Sequence, residues 1–365
     1  MRYLDGFRNP DTAAALVSHI SDLAAILAQR RESINIMEVC GSHTMAIARF
    51  ALRELLPENL RLTSGPGCPV CVTDAGYIDA AIALAKEGHI IASFGDLLHV
   101  PGSGNTLAQC RSEGAAIEIC ASPTQALEIA RQNPKRQIVF LAIGFETSIA
   151  PVTTLIPSAS KENIENLSLL TAFKLVPPAL KALSSDPEIK IDAFLCPAHV
   201  SAIIGAQAYE PFVNEHHIPC VIAGFEPLDI LYGIEGILRQ LVAEKAFVEN
   251  QYSRVVRAEG NRVAQEIIAK YLQAADASWR GIGIIPESGL KIAAAYSKYD
   301  STARFGIEIR VGHPNPACRC GDVLKGKIIP PECTLFAKAC TPAHPVGPCM
   351  VSGEGSCSAY HKYSR

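Results

Sequence analysis

Short apolar runs that stop at glycine or proline recur along this chain, and most are followed by a helical pattern. That alternation restricts the fold more than any other feature. The runs are "INIMEV" (34–39), "HIIASFGD" (89–96), "AAIEICA" (115–121), "QIVFLAIGFE" (137–146), "IDAFLCPAHV" (191–200), "IPCVIAGFE" (218–226) and "RGIGIIPESG" (280–289). Helical periodicity follows at 74–87, 123–132 and 226–247, and 11–32 reads as an amphipathic helix with Asp11 as its N-cap. Continuously apolar strands need cover on both faces, and intervening helices supply it. The expected class is α/β, with mostly parallel sheets.

Gly144-Phe145-Glu146 and Gly224-Phe225-Glu226 repeat one signature at two strand-to-helix junctions. This points to two related parallel-sheet α/β domains, with a seam in 121–136. The expected division is 1–130, 131–255 and a final part, 256–365, of connecting helices and a loop-rich, cysteine-rich C-terminal segment.

The 365 residues are 48% hydrophobic and carry a formal charge of −3, so nothing favours nucleic acid or an anionic membrane as partner. No window supplies the ~20 consecutive apolar residues of a membrane span. The N-terminus has acids and a proline where a signal peptide has a basic stretch. The expected compartment is the cytoplasm, where 13 cysteines are not structural bridges.

Cys318, Cys320, Cys333, Cys340, Cys349 and Cys357 crowd a tail rich in proline and glycine. Thiolates suit zinc or an iron–sulfur cluster. The spacing is irregular, whereas structural zinc usually takes two tight pairs. A cluster, a zinc ion and free loop cysteines all remain open on spacing alone. Cys110, Cys120, Cys196 and Cys220 sit in or beside apolar runs and read as packing.

"TSGPGCPVCVTD" (63–74) holds Cys68 and Cys71 three positions apart, with two residues between them, in a stiff loop ahead of a helix. That spacing fits a redox dithiol, while a metal claw would need further ligands from elsewhere. In "MEVCGSHTMAI", Cys40 ends a predicted strand, Gly41 permits a tight turn and Ser42 is placed to cap the next helix. Ligands bind beyond the carboxyl ends of strands in open α/β sheets. Cys40 and His43 are therefore a nucleophile with its base, two ligands of one metal, or a buried cysteine beside a surface histidine. Asp96, His99, Glu146, Thr147, His199 and Glu226 would converge on the same edge as a polar cleft.

These segments, with "GFETS", "CPAHV" and the tail "CRCG…PPEC…C…GPCMVSGEGSC", resemble the [NiFe]-hydrogenase maturation protein family HypD, in the same order from about 34 to 360. The resemblance implies a hydrogenase maturation scaffold. It would work with a HypC-type small chaperone and a HypE-type cyanide donor, assembling an Fe(CN)2CO group on a transient iron. It implies a [4Fe-4S] cluster on Cys320, Cys333, Cys340 and Cys357, with Cys318 and Cys349 as alternates. It implies Cys40 as iron ligand with His43 beside it, Cys68 and Cys71 as a thiol–disulfide relay, and Glu354 within the same site motif. Met45 stands where many members have a second histidine. The rival expectation is an iron–sulfur oxidoreductase acting on a small substrate in the cleft.

Overall fold

The computed structural model describes residues 5–363. Eleven strands run in chain order: β1 (Ile34–Glu38), β2 (Leu60–Ser64), β3 (Ile90–Ser93), β4 (Ile117–Ile119), β5 (Ile138–Gly144), β6 (Leu167–Phe173), β7 (Ala193–Pro197), β8 (Cys220–Ala223), β9 (Val248–Asn250), β10 (Leu272–Trp279) and β11 (Gly283–Ile292). They form a five-stranded sheet in the order β2-β1-β7-β8-β9, a four-stranded sheet in the order β4-β3-β5-β6, and a β10-β11 pair. All pairings in the two larger sheets are parallel, as the apolar runs led one to expect.

The run at 280–289 departs from that expectation. It belongs to an antiparallel hairpin with β10, with a register shift between Ala275 and Ala277. The four-stranded sheet is one stretch of chain, β3 to β6, inserted between β2 and β7 of the five-stranded sheet. Residues 1–130 contribute β1 and β2 to one sheet and β3 and β4 to the other, and residues 131–255 likewise contribute to both. Segment 121–136 connects β4 to β5 within the four-stranded sheet, so the expected seam is not there.

The first long helix, Pro10–Ala28, starts one turn position earlier than the sequence suggested. Asn9, not Asp11, is the N-cap and accepts from Thr12 N, and Pro10 fills the first helical position, where a missing N–H costs nothing. This is the one helix among the described residues long and apolar enough to cross a membrane. Its stripe of Leu16, Ile20, Leu23, Ala24 and Leu27 is buried in a cluster with Ile230, Leu231 and Ile234 of the helix Pro227–Val242. Each large side chain so buried contributes about 1.5–3 kcal/mol.

β1 lies between β2 and β7, and β5 lies between β3 and β6, so both are covered on all sides. The carboxyl ends of β1, β2, β7 and β8 share one edge of the five-stranded sheet. From that edge come Cys40, the Cys68/Cys71 loop, His199 and Gly224-Phe225. The end of β5 delivers the other Gly-Phe-Glu motif, so both copies sit at a strand-to-helix handover.

Candidate functional site: a thiol chain beside a polar pocket

Cys40 follows β1 in extended conformation and is the N-cap of helix Gly41–Arg49. Ser42 does not cap that helix; its hydroxyl donates to Glu354 Oε1 at 2.8 Å. The first backbone N–H groups of the helix, from His43 and Ser42, favour the Cys40 thiolate, although none caps the helix through a hydrogen bond to the sulfur. Burial dominates, however, and Cys40 is pushed up to about 12. Two glycines let separate chains meet here. A Cβ on Gly67 would lie 2.2 Å from Cys40 N, and one on Gly41 would lie 2.5 Å from Glu354 Cβ. Gly41 N donates to Gly67 O at 3.1 Å, tying the Cys40 turn to the residue before Cys68.

A pocket of about 190 Å³ opens at this junction, lined by Cys40, Pro69, Thr147, His199 and Glu354 among others. The expected cleft is thus smaller than the full set of strand-end groups. His199 and Thr147 belong to it. Glu226 instead pairs with Arg8, and Glu146 is buried with Oε1 accepting from Val176 N at 2.9 Å. Asp96 and His99 are exposed on the turn after β3 and do not line the pocket.

His43 is fully buried rather than a surface residue. Its Nε2 donates to the carbonyls of Gly224 (2.9 Å) and Ala223 (3.1 Å), since those oxygens only accept. Burial lowers its pKa to about 4, so the ring is neutral. The imidazole is committed to the end of β8.

Cys68 is the N-cap of the short helix Pro69–Val72. Its Sγ accepts from Cys71 N at 3.3 Å and from Cys71 Sγ at 2.7 Å. From Cys71 the thiols continue. Cys71 Sγ also reaches Pro348 O at 3.9 Å, and Cys349 perturbs Cys71, Cys320 perturbs Cys349 and Cys318 perturbs Cys320, so five sulfurs lie as successive neighbours ending at Cys68. Cys71 is raised well above the usual thiol value, chiefly by burial. The bond from Cys318 pulls Cys320 down, yet its own bond to Cys349 and its burial outweigh this and bring it to about 12. Cys318 is raised in turn because it donates to Cys320.

Beyond this chain, all six tail cysteines line a small cavity of about 20 Å³ with Leu335, Phe336 and Met350. Burial and its facing neighbours Cys318, Cys340, Cys320 and Cys333 together raise Cys357. Among the described residues, no three Cys, His, Asp or Glu side chains converge closely enough to hold a single metal ion. Cys110, Cys120, Cys196 and Cys220 are all buried in the core, as expected. The sequence did not single out the Cys320–Cys349 pair, because 28 intervening residues of irregular tail give no local signal.

The family model described as "Hydrogenase formation hypA family" (HypD) matches residues 12–364. A hydrogenase maturation factor HypD of Azotobacter vinelandii is 43% identical over 373 residues, covering 100% of this chain and 97% of that protein. Those of Cupriavidus necator (41% over 374 residues) and Escherichia coli (40% over 366 residues) each align with 100% of this chain and 98% of their own length.

Proposed function

The chain belongs to the HypD family of hydrogenase maturation factors, and from that premise we propose that it is a cytoplasmic, redox-active assembly scaffold. Its substrate is an iron ion that receives cyanide and CO ligands at the Cys40 pocket, with a HypC-type chaperone closing the site and a HypE-type protein delivering cyanide. The observation that carries this reading is the succession of neighbouring cysteines from the cysteine cavity through Cys349 and Cys71 to Cys68, one residue from the Gly67–Cys40 contact.

The cysteine cavity fits a [4Fe-4S] cluster. Its donors are soft thiols in an apolar wall, spread around a space rather than gathered on a point, which suits a four-cornered body better than one ion. Cys318, Cys333, Cys340 and Cys357 would hold it. Cys320, which the family resemblance places on the cluster, neighbours Cys349 and goes in this reading to the relay. When bound, the cluster supplies electrons one at a time.

The cysteines of this chain do the rest. Oxidation of Cys68 and Cys71 to a disulfide would release two electrons and two protons to a two-electron acceptor carried in by the cyanide-delivering partner. The Cys349 thiolate then attacks Cys71 Sγ, breaking the Cys68–Cys71 bond. Cys320 attacks Cys349 in turn, freeing Cys71 and leaving a Cys320–Cys349 disulfide. The exchange conserves electrons. A low-potential one-electron donor, acting twice, restores the dithiol with two protons. At the pocket, iron displaces the Cys40 proton, and the N–H groups of Ser42 and His43 stabilise the resulting thiolate.

Cys40→Ala is expected to abolish the infrared bands of iron-bound cyanide and CO while leaving the visible absorbance of the cluster intact. Bands that survive the substitution refute the assignment.

A further inference from the structure

We propose that the cavity beside Lys174 is a binding site for a small zwitterion, of the class of a free α-amino acid. The cavity measures about 280 Å³ and lies where the end of β6 meets the β10–β11 hairpin. It shares no lining residue with the Cys40 pocket. Its size falls just below that of pockets for drug-sized ligands, so it suits a small organic molecule.

Lys174 directly follows β6, and its backbone N donates to Gly144 O at 2.9 Å. The side chain is 3% exposed, and among the described residues nothing accepts a hydrogen bond from its Nζ. Nζ lies 5.9 Å from the centroid of the Trp279 ring, a weak substitute for an oxygen. Asp74 is the acid that acts on it, but that carboxylate is engaged elsewhere. Its Oδ1 accepts from Gly76 N (2.8 Å) and Gly312 N (2.7 Å), and its Oδ2 from Ser278 Oγ (3.1 Å). Burial therefore prevails and lowers Lys174 to about 8. A buried ammonium without an acceptor is costly, and a ligand carboxylate would supply the missing oxygen.

The rest of the wall selects the kind of anion. Lys291 and Thr171 line the cavity, and their side chains have no hydrogen-bond partner among the described residues. Asp276 and Asp300 line it too. Each uses Oδ1, accepting from Glu287 N (3.0 Å) and Thr302 N (2.8 Å) respectively, and each keeps Oδ2 unpaired. The Tyr77 hydroxyl is taken up by Leu170 O at 2.8 Å. With Asp74, three aspartates face two lysines, so there is no positive excess to hold a phosphate or another polyanion. A molecule with a carboxylate for Lys174 and an ammonium for the free aspartate oxygens complements both signs.

Trp279 is the single tryptophan and neighbours the Lys174 ammonium, so its fluorescence reads the site. The intact chain is titrated with each proteinogenic L-amino acid, by this fluorescence and by calorimetry. Acetate, ethylammonium and inorganic phosphate, each carrying one sign of charge, are the controls. At least one amino acid is expected to bind saturably, with every control at least about tenfold weaker. K174M, which keeps an unbranched side chain without the amine, should weaken that binding at least about tenfold at an unchanged melting temperature. D276N, at an exposed position, should narrow the margin between the amino acid and acetate, and it decides the matter if K174M does not fold. The proposal is overturned if no amino acid binds, if acetate or phosphate binds as tightly as the best of them, if binding survives K174M, or if D276N leaves the margin unchanged.

Discussion

Glu146 opens the helix that follows β5, and its replacement by glutamine has a calculable effect. The carboxyl is 3% exposed, Oε1 accepts from Val176 N, and Oε2 has no hydrogen-bond partner. Burial raises its pKa from 4.5 to about 7. At ~1.4 kcal/mol per pH unit, ionising it in the folded chain costs about 3 kcal/mol. Because the folded state holds the proton more tightly, this contribution is fully present below pH 4.5 and is lost as pH rises through 7. Glu146→Gln keeps an acceptor for Val176 N and has no proton to lose. The variant should match wild type near pH 4.5 and be more stable by about 3 kcal/mol at pH 8. Urea unfolding reports this through the single tryptophan, Trp279, which is buried and donates from Nε1 to Ser288 Oγ. The comparison is made anaerobically at matched iron content, since a bound group otherwise shifts the equilibrium. A stability difference that does not change between the two pH values refutes the argument.

Gly67→Ala should lose iron retention at Cys40 while leaving the cluster band unchanged, because its Cβ meets backbone atoms of Cys40 that cannot yield; normal iron stoichiometry counts against the close approach. Cys318→Ser should bleach the visible band and lower acid-labile sulfide, whereas Cys320→Ser should keep the band, and equal loss in both returns Cys320 to the ligand set. Cys71→Ser should leave the infrared bands of the loaded iron detectable but block hydrogenase maturation in cells; a normally active hydrogenase removes the relay.

The strands buried at the centre of the sheets were the legible ones. β5 and β7 are apolar along their whole length, and each ends at glycine or proline. β2, at the edge of its sheet, alternates buried and exposed residues in "LRLTS", so it lacked the continuous apolar signal. β10 is largely alanine and polar, and only its partner β11 gave a pattern, which then passed for one more parallel strand. Pairing was invisible altogether: no local feature of β1 says that its neighbour is β7. At the site, Cys40 and the Cys68/Cys71 loop stood out because glycine and proline bracket them. The burial of His43 against β8 and the Cys320–Cys349 contact are tertiary facts. Spacing along the chain does not encode them.

The insertion of the four-stranded sheet between β2 and β7 has a consequence for biosynthesis. As the chain leaves the ribosome, β1 and β2 emerge early but gain a third strand only after β7 has been made. The Cys40 turn is finished later still, when Glu354 lodges against Gly41 and receives the Ser42 hydroxyl. A prematurely terminated chain therefore cannot present a complete metal pocket. Loading is restricted to full-length molecules by the order in which their parts are synthesised.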